Sequence, residues 1–246
     1  MSERVRLDVV LEQRGLTQSR ARARDAIQRG TVRVAGQVAR KPGQIVDIDA
    51  EISIDDPAGN YVSRAALKLI AGLDAGGIGV EEAVCLDLGA STGGFTQVLL
   101  ERGAARVYAV DVGHGQLHPS LAGHDKITLF EGFNARDLTA TQVPEPVDLL
   151  VSDISFVSLT KVIGPALDLV RPGGRAVLLI KPQFEVGRDF IGKGGIVSDP
   201  EAAQRAVKDM ANFVILHAFV LDHLLASPIT GGDGNQEWLG LFTRRG

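Results

Sequence analysis

The sequence predicts an α/β protein in which a Rossmann-like, doubly wound sheet, closed by an antiparallel hairpin, follows a small α+β domain. Its 246 residues suffice for one large α/β domain and a compact second one. From residue 83 onward, short apolar strands alternate with helical patterns, which is typical of a parallel sheet covered by helices. Charge is also uneven, because residues 1–46 carry ten Lys and Arg against four Asp and Glu, a balance of +6, whereas the remainder balances at −10.

Composition and the pattern of apolar residues argue against a secreted, a membrane-spanning or a disulfide-stabilised protein. Hydrophobic residues make up 45% and charged residues 23% of the chain, which is ordinary for soluble globular proteins. The first residues lack the apolar core of a secretory signal, and no apolar stretch is long enough to cross a bilayer. The single cysteine, Cys85, lies in an apolar strand pattern and has no partner for an internal disulfide. We therefore expect a cytoplasmic protein in which Cys85 is a core residue.

The first predicted domain, residues 1–54, contains two helices and a pair of strands. The first helix carries an apolar stripe and ends near Gly15; the second begins after Ser19, a favoured N-cap residue, and ends at Gly30. Alternating valines then predict two short strands around a turn at residues 35–37. Arginines crowd this domain, and a guanidinium donates two parallel hydrogen bonds to a phosphate. The arginines form either a phosphate-binding surface or a merely solvated helix face.

The second predicted domain, residues 63–246, follows a linker at residues 55–62 that is rich in acidic, Pro and Gly residues. Ser63 is expected to cap a helix that continues to Asp74. The predicted strands lie at residues 83–88, 106–111, 127–130, 147–152 and 175–180, followed by a hairpin of residues 218–226 and 236–243. The predicted helices lie at residues 94–102, 115–121, 157–170 and 200–214.

A glycine-rich loop follows the first strand of this domain and opens a helix, where backbone N–H groups can face a ligand. Its spacing is not the G-x-G-x-x-G of dinucleotide-binding proteins. Asp87 precedes the first glycine, and a carboxylate there repels a pyrophosphate but can hold an ammonium group. Asp111, at the end of the next strand, suits the hydroxyls of a ribose. These residues favour S-adenosylmethionine over a nicotinamide cofactor; a purely structural glycine turn is the alternative. The candidate cofactor-binding residues are Asp87, Gly89, Ser91, Thr92, Gly93, Gly94, Phe95, Asp111, Val112, Asn134 and Asp153.

Further charged residues lie at strand ends, where open α/β sheets bind their ligands. Asp153 and Lys181 each follow an apolar strand. Burial of an unpaired ammonium is costly, so Lys181 indicates a functional group, with a snorkelling surface lysine as the alternative. Glu237 begins the last strand and fits an exposed edge charge equally well, and Lys68 taken alone fits a solvated helix face. No His or Cys cluster has the spacing of metal ligands, so no metal site is predicted.

Together these motifs resemble the hemolysin-A-type (TlyA) family of ribosomal RNA 2′-O-methyltransferases. Residues 6–37 are similar to an S4 RNA-binding domain. The segments similar to signatures of the family's FtsJ-like methyltransferase domain are residues 61–69, 87–95, 111–117, 181–185 and 234–237. The resemblance covers essentially the whole chain.

The resemblance implies S-adenosylmethionine-dependent methylation of a ribose 2′-hydroxyl, with cytidine in ribosomal RNA or assembling ribosomal subunits as the substrate. It places the family's Lys-Asp-Lys-Glu catalytic tetrad on Lys68, Asp153, Lys181 and Glu237. Lys181 either accepts the hydroxyl proton or stays charged and stabilises a developing alkoxide. The arginines that would bind RNA phosphates without reading sequence are Arg4, Arg6, Arg20, Arg22, Arg24, Arg29 and Arg33.

Three alternative functions remain open from the sequence. A nicotinamide-dependent oxidoreductase is disfavoured by the loop spacing. A non-catalytic RNA-binding or ribosome-assembly protein with a vestigial cofactor pocket is disfavoured by the intact tetrad. A membrane-active hemolysin is disfavoured because no strongly amphipathic segment is evident.

Overall fold

The computed structural model describes residues 3–246 of the chain. The described residues fold into two compact units, one that ends at residue 60 and one of residues 61–246.

The first unit combines two helices with short strands. Its elements are β1 (Arg4–Arg6), α1 (Leu7–Gln13), α2 (Arg20–Arg29), β2 (Val32–Val34), β3 (Gln37–Val38), β4 (Ile45–Asp47) and β5 (Ile52–Ile54). As predicted, the Ser19 hydroxyl accepts from the N–H of Arg22 at the start of α2, and Gly30 ends that helix in the left-handed conformation. Strand β1 pairs with β4, and β2 lies between β3 and β5. Strands β1, β4 and β5 were not predicted, since three residues carry too little alternation to be recognised.

Residues 55–60 belong structurally to this first unit. Both carboxylate oxygens of Asp56 accept from the Arg29 guanidinium, at 2.6 and 2.8 Å. Ala58 is fully buried. Most of the segment predicted as a linker is therefore packed in place.

The second unit contains the remaining helices and strands. Its elements are α3 (Ala66–Ala75), β6 (Val84–Leu88), α4 (Gly94–Glu101), β7 (Arg106–Val110), β8 (Ile127–Phe130), β9 (Val147–Ser152), α5 (Gly164–Leu169), β10 (Val170–Ile180), α6 (Pro182–Glu185), α7 (Pro200–Leu216), β11 (Phe219–Ala226) and β12 (Trp238–Arg244). Short 3-10 turns lie at Ala135–Asp137, Leu159–Lys161, Arg188–Phe190 and Lys193–Gly195.

The seven strands form one sheet in the order β11-β12-β10-β9-β6-β7-β8. Strands β8, β7, β6, β9 and β10 are parallel, and β12 and β11 add the antiparallel hairpin, which confirms the predicted fold class. The chain leaves β6 toward β7 on one side and returns to β9 on the other. This reversal opens a crevice at the carboxyl ends of β6 and β9, the usual ligand position in such sheets.

Apolar layers cover both faces of the sheet. One layer joins α3 and α4 to the sheet, with Leu69 and Leu99 fully buried. The other joins α5 and α7 to the opposite face, with Leu167 and Val214 fully buried. Cys85 lies in the first layer as expected, and burial raises the pKa of its thiol, which keeps it protonated and unreactive.

Three local predictions were wrong. Residues 115–121 form turns, because Gly115 has a φ of +63° and the Glu131 carboxylate accepts from the N–H groups of Gly115 and Gln116. The helix predicted at residues 157–170 is reduced to a 3-10 turn and α5, since Pro165 lacks an N–H and restricts the residue before it. Ser63 does not cap α3; its hydroxyl accepts from the N–H of Ala65, in the turn before the helix.

Candidate active site

Four charged residues from four separate elements converge at the carboxyl edge of the sheet. Asp153 follows β9, Lys181 follows β10, and Lys68 lies in α3. Glu237 precedes β12, and because β12 is antiparallel to β10, its start lies beside the end of β10, with Trp238 paired to Ile180. The sheet order therefore brings together residues that are far apart in the chain.

The four side chains form a continuous chain of ion pairs. Lys181 Nζ lies 2.5 Å from Asp153 Oδ1, and Lys68 Nζ lies 4.0 Å from Asp153 Oδ2. Lys68 Nζ also donates to Glu237 Oε2 at 2.5 Å. Lys68, Lys181 and Glu237 are only 5%, 7% and 2% exposed. The sequence-based alternatives of a solvated Lys68, a snorkelling Lys181 and an exposed Glu237 are therefore wrong.

Two adjoining cavities open at this edge. The tetrad cavity, of about 340 Å³, is lined by Lys68, Asp153, Lys181 and Glu237 together with Ser63, Ala65, Gly89, Ala90, Ser91, Thr92, Gly94, Phe95, Ser155, Phe156, Gln183, Phe184, Gly232 and Asp233. The Asp111 cavity, of about 260 Å³, is lined by Gly89, Ser91, Val110, Asp111, Val112, Gln116, Phe133, Asn134, Ala135, Asp153, Ile154, Ser155, Phe156, Val157 and Val162. Both share Gly89, Ser91, Asp153, Ser155 and Phe156. An elongated ligand can thus occupy the Asp111 cavity and reach the tetrad.

The glycine-rich loop forms the wall between β6 and the two cavities. Gly89 has a φ of +79°, and a Cβ there would lie 3.2 Å from the backbone of Asp153, so only glycine fits without strain. At the end of β7, the Asp111 carboxylate accepts from the N–H of Ser91 at 2.8 Å and from that of Gly113 at 2.7 Å. These bonds hold the carboxylate at the wall of the Asp111 cavity, where each oxygen has a further lone pair for a ligand.

Two of the predicted cofactor-binding residues do not line either cavity. Gly93 is the N-cap of α4, and its missing side chain makes room for Leu117 and Leu121. Asp87 is fully buried in β6, where Thr96 Oγ1 donates to its Oδ2 at 2.6 Å, and its Oδ1 has no hydrogen-bond partner among residues 3–246. Burial raises the pKa of Asp87 to about 7. Asp87 is thus a buried acceptor whose charge depends on pH near neutrality.

Sequence reasoning missed two residues where the cavities meet. Ser155 Oγ lies 2.5 Å from Lys181 Nζ. Phe156 is 92% exposed and has a φ of +69°, a conformation that residues with side chains rarely adopt. Their position directly after a strand-end acid was the only available signal, because backbone strain cannot be read from a sequence.

The predicted RNA-binding arginines of the first unit fall into two groups. Arg4, Arg24 and Arg33 are exposed, and Arg6 and Arg20 are half-exposed and paired with the buried Asp8. The Arg6 guanidinium, and then Arg20, lower the pKa of that carboxyl.

The second group is held within the unit. Arg29 forms ion pairs with Asp25 and Asp56, with only 15% of its side chain exposed, so its guanidinium is less accessible to a phosphate than those of the first group. Arg22 is half-buried and donates to the carbonyl of Ala58. The number of arginines in this unit therefore exceeds the number of exposed guanidinium groups that are available to a partner.

Comparison with known proteins matches each unit to a known family. The profile of the FtsJ-like methyltransferase family matches residues 61–244, and that of the S4 domain matches residues 5–52. The chain is 43% identical to the 16S/23S rRNA (cytidine-2'-O)-methyltransferase TlyA of Mycobacterium tuberculosis, over all of this chain and 93% of the relative. It is 39% identical to Hemolysin A of Brachyspira hyodysenteriae, over 97% of this chain and 99% of the relative.

Solved structures show the same similarity. A protein described as a hemolysin from Streptococcus thermophilus superimposes with a TM-score of 0.76 at 34% identity, covering all of this chain and 90% of the other. Fibrillarin from Aeropyrum pernix, solved with bound S-adenosyl-L-methionine, superimposes with a TM-score of 0.51 at 17% identity, over 86% of this chain and 94% of the other. The second similarity concerns the fold alone. Among residues 3–246, no helix has the length and apolar character needed to span a membrane.

Proposed function

This chain belongs to the FtsJ-like methyltransferase family, in its hemolysin-A-type branch, and on that premise we propose that it methylates a ribose 2′-hydroxyl of ribosomal RNA with S-adenosylmethionine as the donor. The observation that carries the proposal is the buried tetrad beside two adjoining cavities. The Asp111 cavity accepts the nucleoside end of the donor, and the tetrad cavity accepts the target ribose. Relatives named as cytidine-2'-O-methyltransferases support cytidine as the target nucleoside.

The residues present fit this donor. Asp87 lines neither cavity itself but lies two residues before Gly89, which lines both, and its Oδ1 is a buried acceptor without a hydrogen-bond partner among residues 3–246; a carboxylate at this position suits a cationic amino group. Gly89 leaves room for a ligand against the loop backbone. The Asp111 carboxylate suits the two hydroxyls of a ribose, and Asn134 and Val112 line the same cavity. When bound, S-adenosylmethionine supplies a methyl group on a positively charged sulfur, which leaves as a neutral thioether.

The tetrad acts on the methyl acceptor. The 2′-oxygen forms a bond to the methyl carbon while the carbon–sulfur bond breaks, and the hydroxyl proton must leave. Lys181 is placed either to take that proton, typically worth about 10²–10⁴-fold in rate, or to stabilise the negative charge that develops on the oxygen. Asp153 holds Lys181, and Lys68 pairs with both Asp153 and Glu237, so the cluster matches two basic groups with two acidic ones.

Alignment is the second contribution of the chain. Holding two reactants in an in-line arrangement can supply roughly 7–11 kcal/mol of a reaction barrier. The two cavities adjoin, since Gly89, Ser91, Asp153, Ser155 and Phe156 line both, and this proximity suits transfer between two bound groups. The S4-type unit would add affinity for structured RNA through its exposed arginines.

The experiment is methyl transfer from radiolabelled S-adenosylmethionine to ribosomal subunits that lack the modification, followed by mapping of the methylated nucleotide. We expect transfer to a ribose 2′-oxygen by the natural protein. The Lys181→Ala variant should lose about 10²–10⁴-fold in kcat while it binds S-adenosylhomocysteine normally. A methyl group on a base rather than on a ribose would contradict the proposal, as would an unimpaired Lys181→Ala.

A further inference from the structure

Ser155 makes a contact that the four-residue tetrad does not include. Its Oγ lies 2.5 Å from Lys181 Nζ, as close as Asp153 Oδ1 does. Ser155 makes no other side-chain hydrogen bond among residues 3–246, and it lines both cavities. Building on the proposed function, we propose that Ser155 is a positioning residue that orients Lys181 Nζ toward the methyl-accepting oxygen.

The argument rests on the tetrahedral geometry of the lysine nitrogen. One of its four directions is the bond to Cε, and Ser155 occupies a second as a hydrogen-bond acceptor. The Asp153 carboxylate, whose Oδ1 lies 2.5 Å away as an ion-pair partner without hydrogen-bond geometry, blocks a third side of the nitrogen. The Asp153 carbonyl oxygen, at 3.4 Å, is a long and weak further contact. One direction therefore remains for the target oxygen. A charged Lys181 presents its third N–H there, and a neutral one presents its lone pair, so Ser155 has the same orienting effect in both states.

Asp153 alone does not define that direction. With Asp153 as the only partner, the Lys181 side chain can change rotamer while Nζ stays in contact with the carboxylate, and the remaining direction changes with the rotamer. A hydrogen bond to Ser155 at a comparable distance selects one of these rotamers. Ser155 adds no charge, so it can orient Lys181 without altering the charge balance of the cluster.

The loop that carries Ser155 is itself held in place. Segment 181–185 contacts loop 153–159 at its two ends and in its middle. At one end, Lys181 binds Asp153 and Ser155; at the other, the Glu185 carboxylate accepts from the Ser158 hydroxyl at 2.6 Å and from the Leu159 N–H at 2.7 Å.

Between these ends, the rings of Phe156 and Phe184 lie 5.6 Å apart. The φ of Phe156, directly after Ser155, is positive, a conformation that residues with side chains rarely adopt and that marks a sharp turn of the loop at this point. The position of the Ser155 hydroxyl is therefore set by contacts on both of its sides.

The test compares Ser155→Ala, Ser155→Cys and Ser155→Thr in the full-length protein, with ribosomal subunits and radiolabelled S-adenosylmethionine as substrates. Loss of a hydrogen bond to a charged group should lower kcat by roughly 10- to 100-fold in Ser155→Ala, with little change in KM for either substrate. Ser155→Cys keeps the shape but accepts hydrogen bonds weakly, so it should be impaired as well, whereas Ser155→Thr keeps a hydroxyl and should restore most of kcat.

Two measurements separate positioning from a merely structural role. Thermal unfolding and calorimetric binding of S-adenosylhomocysteine should be unchanged in all three variants. Ser198→Ala, which removes an exposed hydroxyl that makes no side-chain hydrogen bond among the described residues, is the matched control and should keep natural kcat.

Several results would overturn the inference. These are natural kcat in Ser155→Ala, equal impairment of Ser155→Ala and Ser155→Thr, or a loss that appears in S-adenosylhomocysteine affinity rather than in kcat. If the natural protein itself transfers no methyl group to RNA, the proposed function fails and this inference fails with it.

Discussion

Charged side chains serve opposite purposes in the two units of the molecule. In the second unit, Lys68, Lys181 and Glu237 are nearly buried and held by partners at 2.5 Å. In the first unit, Arg6 and Arg20 keep about half of their side chains exposed, at 48% and 51%. Burial in the second unit fixes the position of each charge, whereas exposure in the first unit leaves the guanidinium groups accessible to a large partner.

This difference predicts how each region responds to change. A buried ion pair loses several kcal/mol when one partner is removed, because the other is left without compensation. An exposed arginine contributes a small, salt-dependent increment to phosphate binding. We therefore expect large, non-additive effects in the tetrad and small, additive effects among the arginines.

The largest expected effect comes from breaking the Lys68–Glu237 pair. Lys68→Met leaves Glu237 buried without its closest partner, and should lower the free energy of unfolding by about 3–5 kcal/mol and abolish methyl transfer. The double variant Lys68→Met with Glu237→Gln should regain much of the stability but none of the activity. Urea unfolding and methyl-transfer assays measure the two quantities.

The exposed ion pair between Arg102 and Asp74, at 2.9 Å, is the matched control. Arg102→Met should cost less than about 1 kcal/mol, as surface pairs usually do. Equal losses of stability in Lys68→Met and Arg102→Met would remove the distinction between buried and exposed charges.

An intermediate effect is expected from the buried acid Asp87. Its pKa in the folded protein, about 7, lies above the ordinary value of 3.8, chiefly because of burial. Such an acid contributes stability that is present below its unfolded pKa and is lost as the pH rises through about 7. Without the donor, Asp87→Asn should therefore be more stable than the natural protein by about 1–3 kcal/mol at pH 8. This gain should grow between about pH 4 and 7 and then level off.

In binding of the donor, the natural protein should exceed Asp87→Asn, although it is the less stable of the two. Asp87→Asn should bind S-adenosylhomocysteine at least about tenfold more weakly at pH 8, since the asparagine cannot pair with an amino group as an anion does. The natural protein should lose affinity as the pH falls below about 7. Asp209→Asn, an exposed acid of α7, should change neither stability nor affinity. A pH-independent difference in stability would argue against titration of Asp87.

The smallest expected effects come from single exposed arginines. Arg4→Ala and Arg24→Ala should each weaken binding to ribosomal subunits by about threefold to tenfold, and should flatten the dependence of log K on log salt by about 0.7–0.9 per lost phosphate contact. Arg29→Ala should instead destabilise the first unit through its contacts with Asp25 and Asp56. Filter binding at several salt concentrations measures the slopes. A slope changed by Arg29→Ala but not by Arg4→Ala would reverse the assignment of the arginines.

Much of the fold could be read from the chain because it depends on local pattern. The strands at residues 127–130 and 147–152 have the predicted bounds, since a run of apolar residues between turn residues marks a buried strand. Ser19 and Gly30 mark a helix start and end for equally local reasons. The failed helix at residues 115–121 shows the limit, because its turns depend on Glu131, which lies in the segment after the next strand.

The sequence by itself determined which residue types stand at strand ends, where glycine leaves room for a ligand, and which charged residues match the tetrad. Only the tertiary structure decided that Lys68 and Glu237, 169 residues apart, form a buried pair, that Ser155 binds Lys181, and that Arg29 is held by an acid whereas Arg4 is exposed. Periodicity reports the side of an element on which a residue lies. The residue that it contacts across the sheet depends on strand order and register, and these are set by packing of the whole unit.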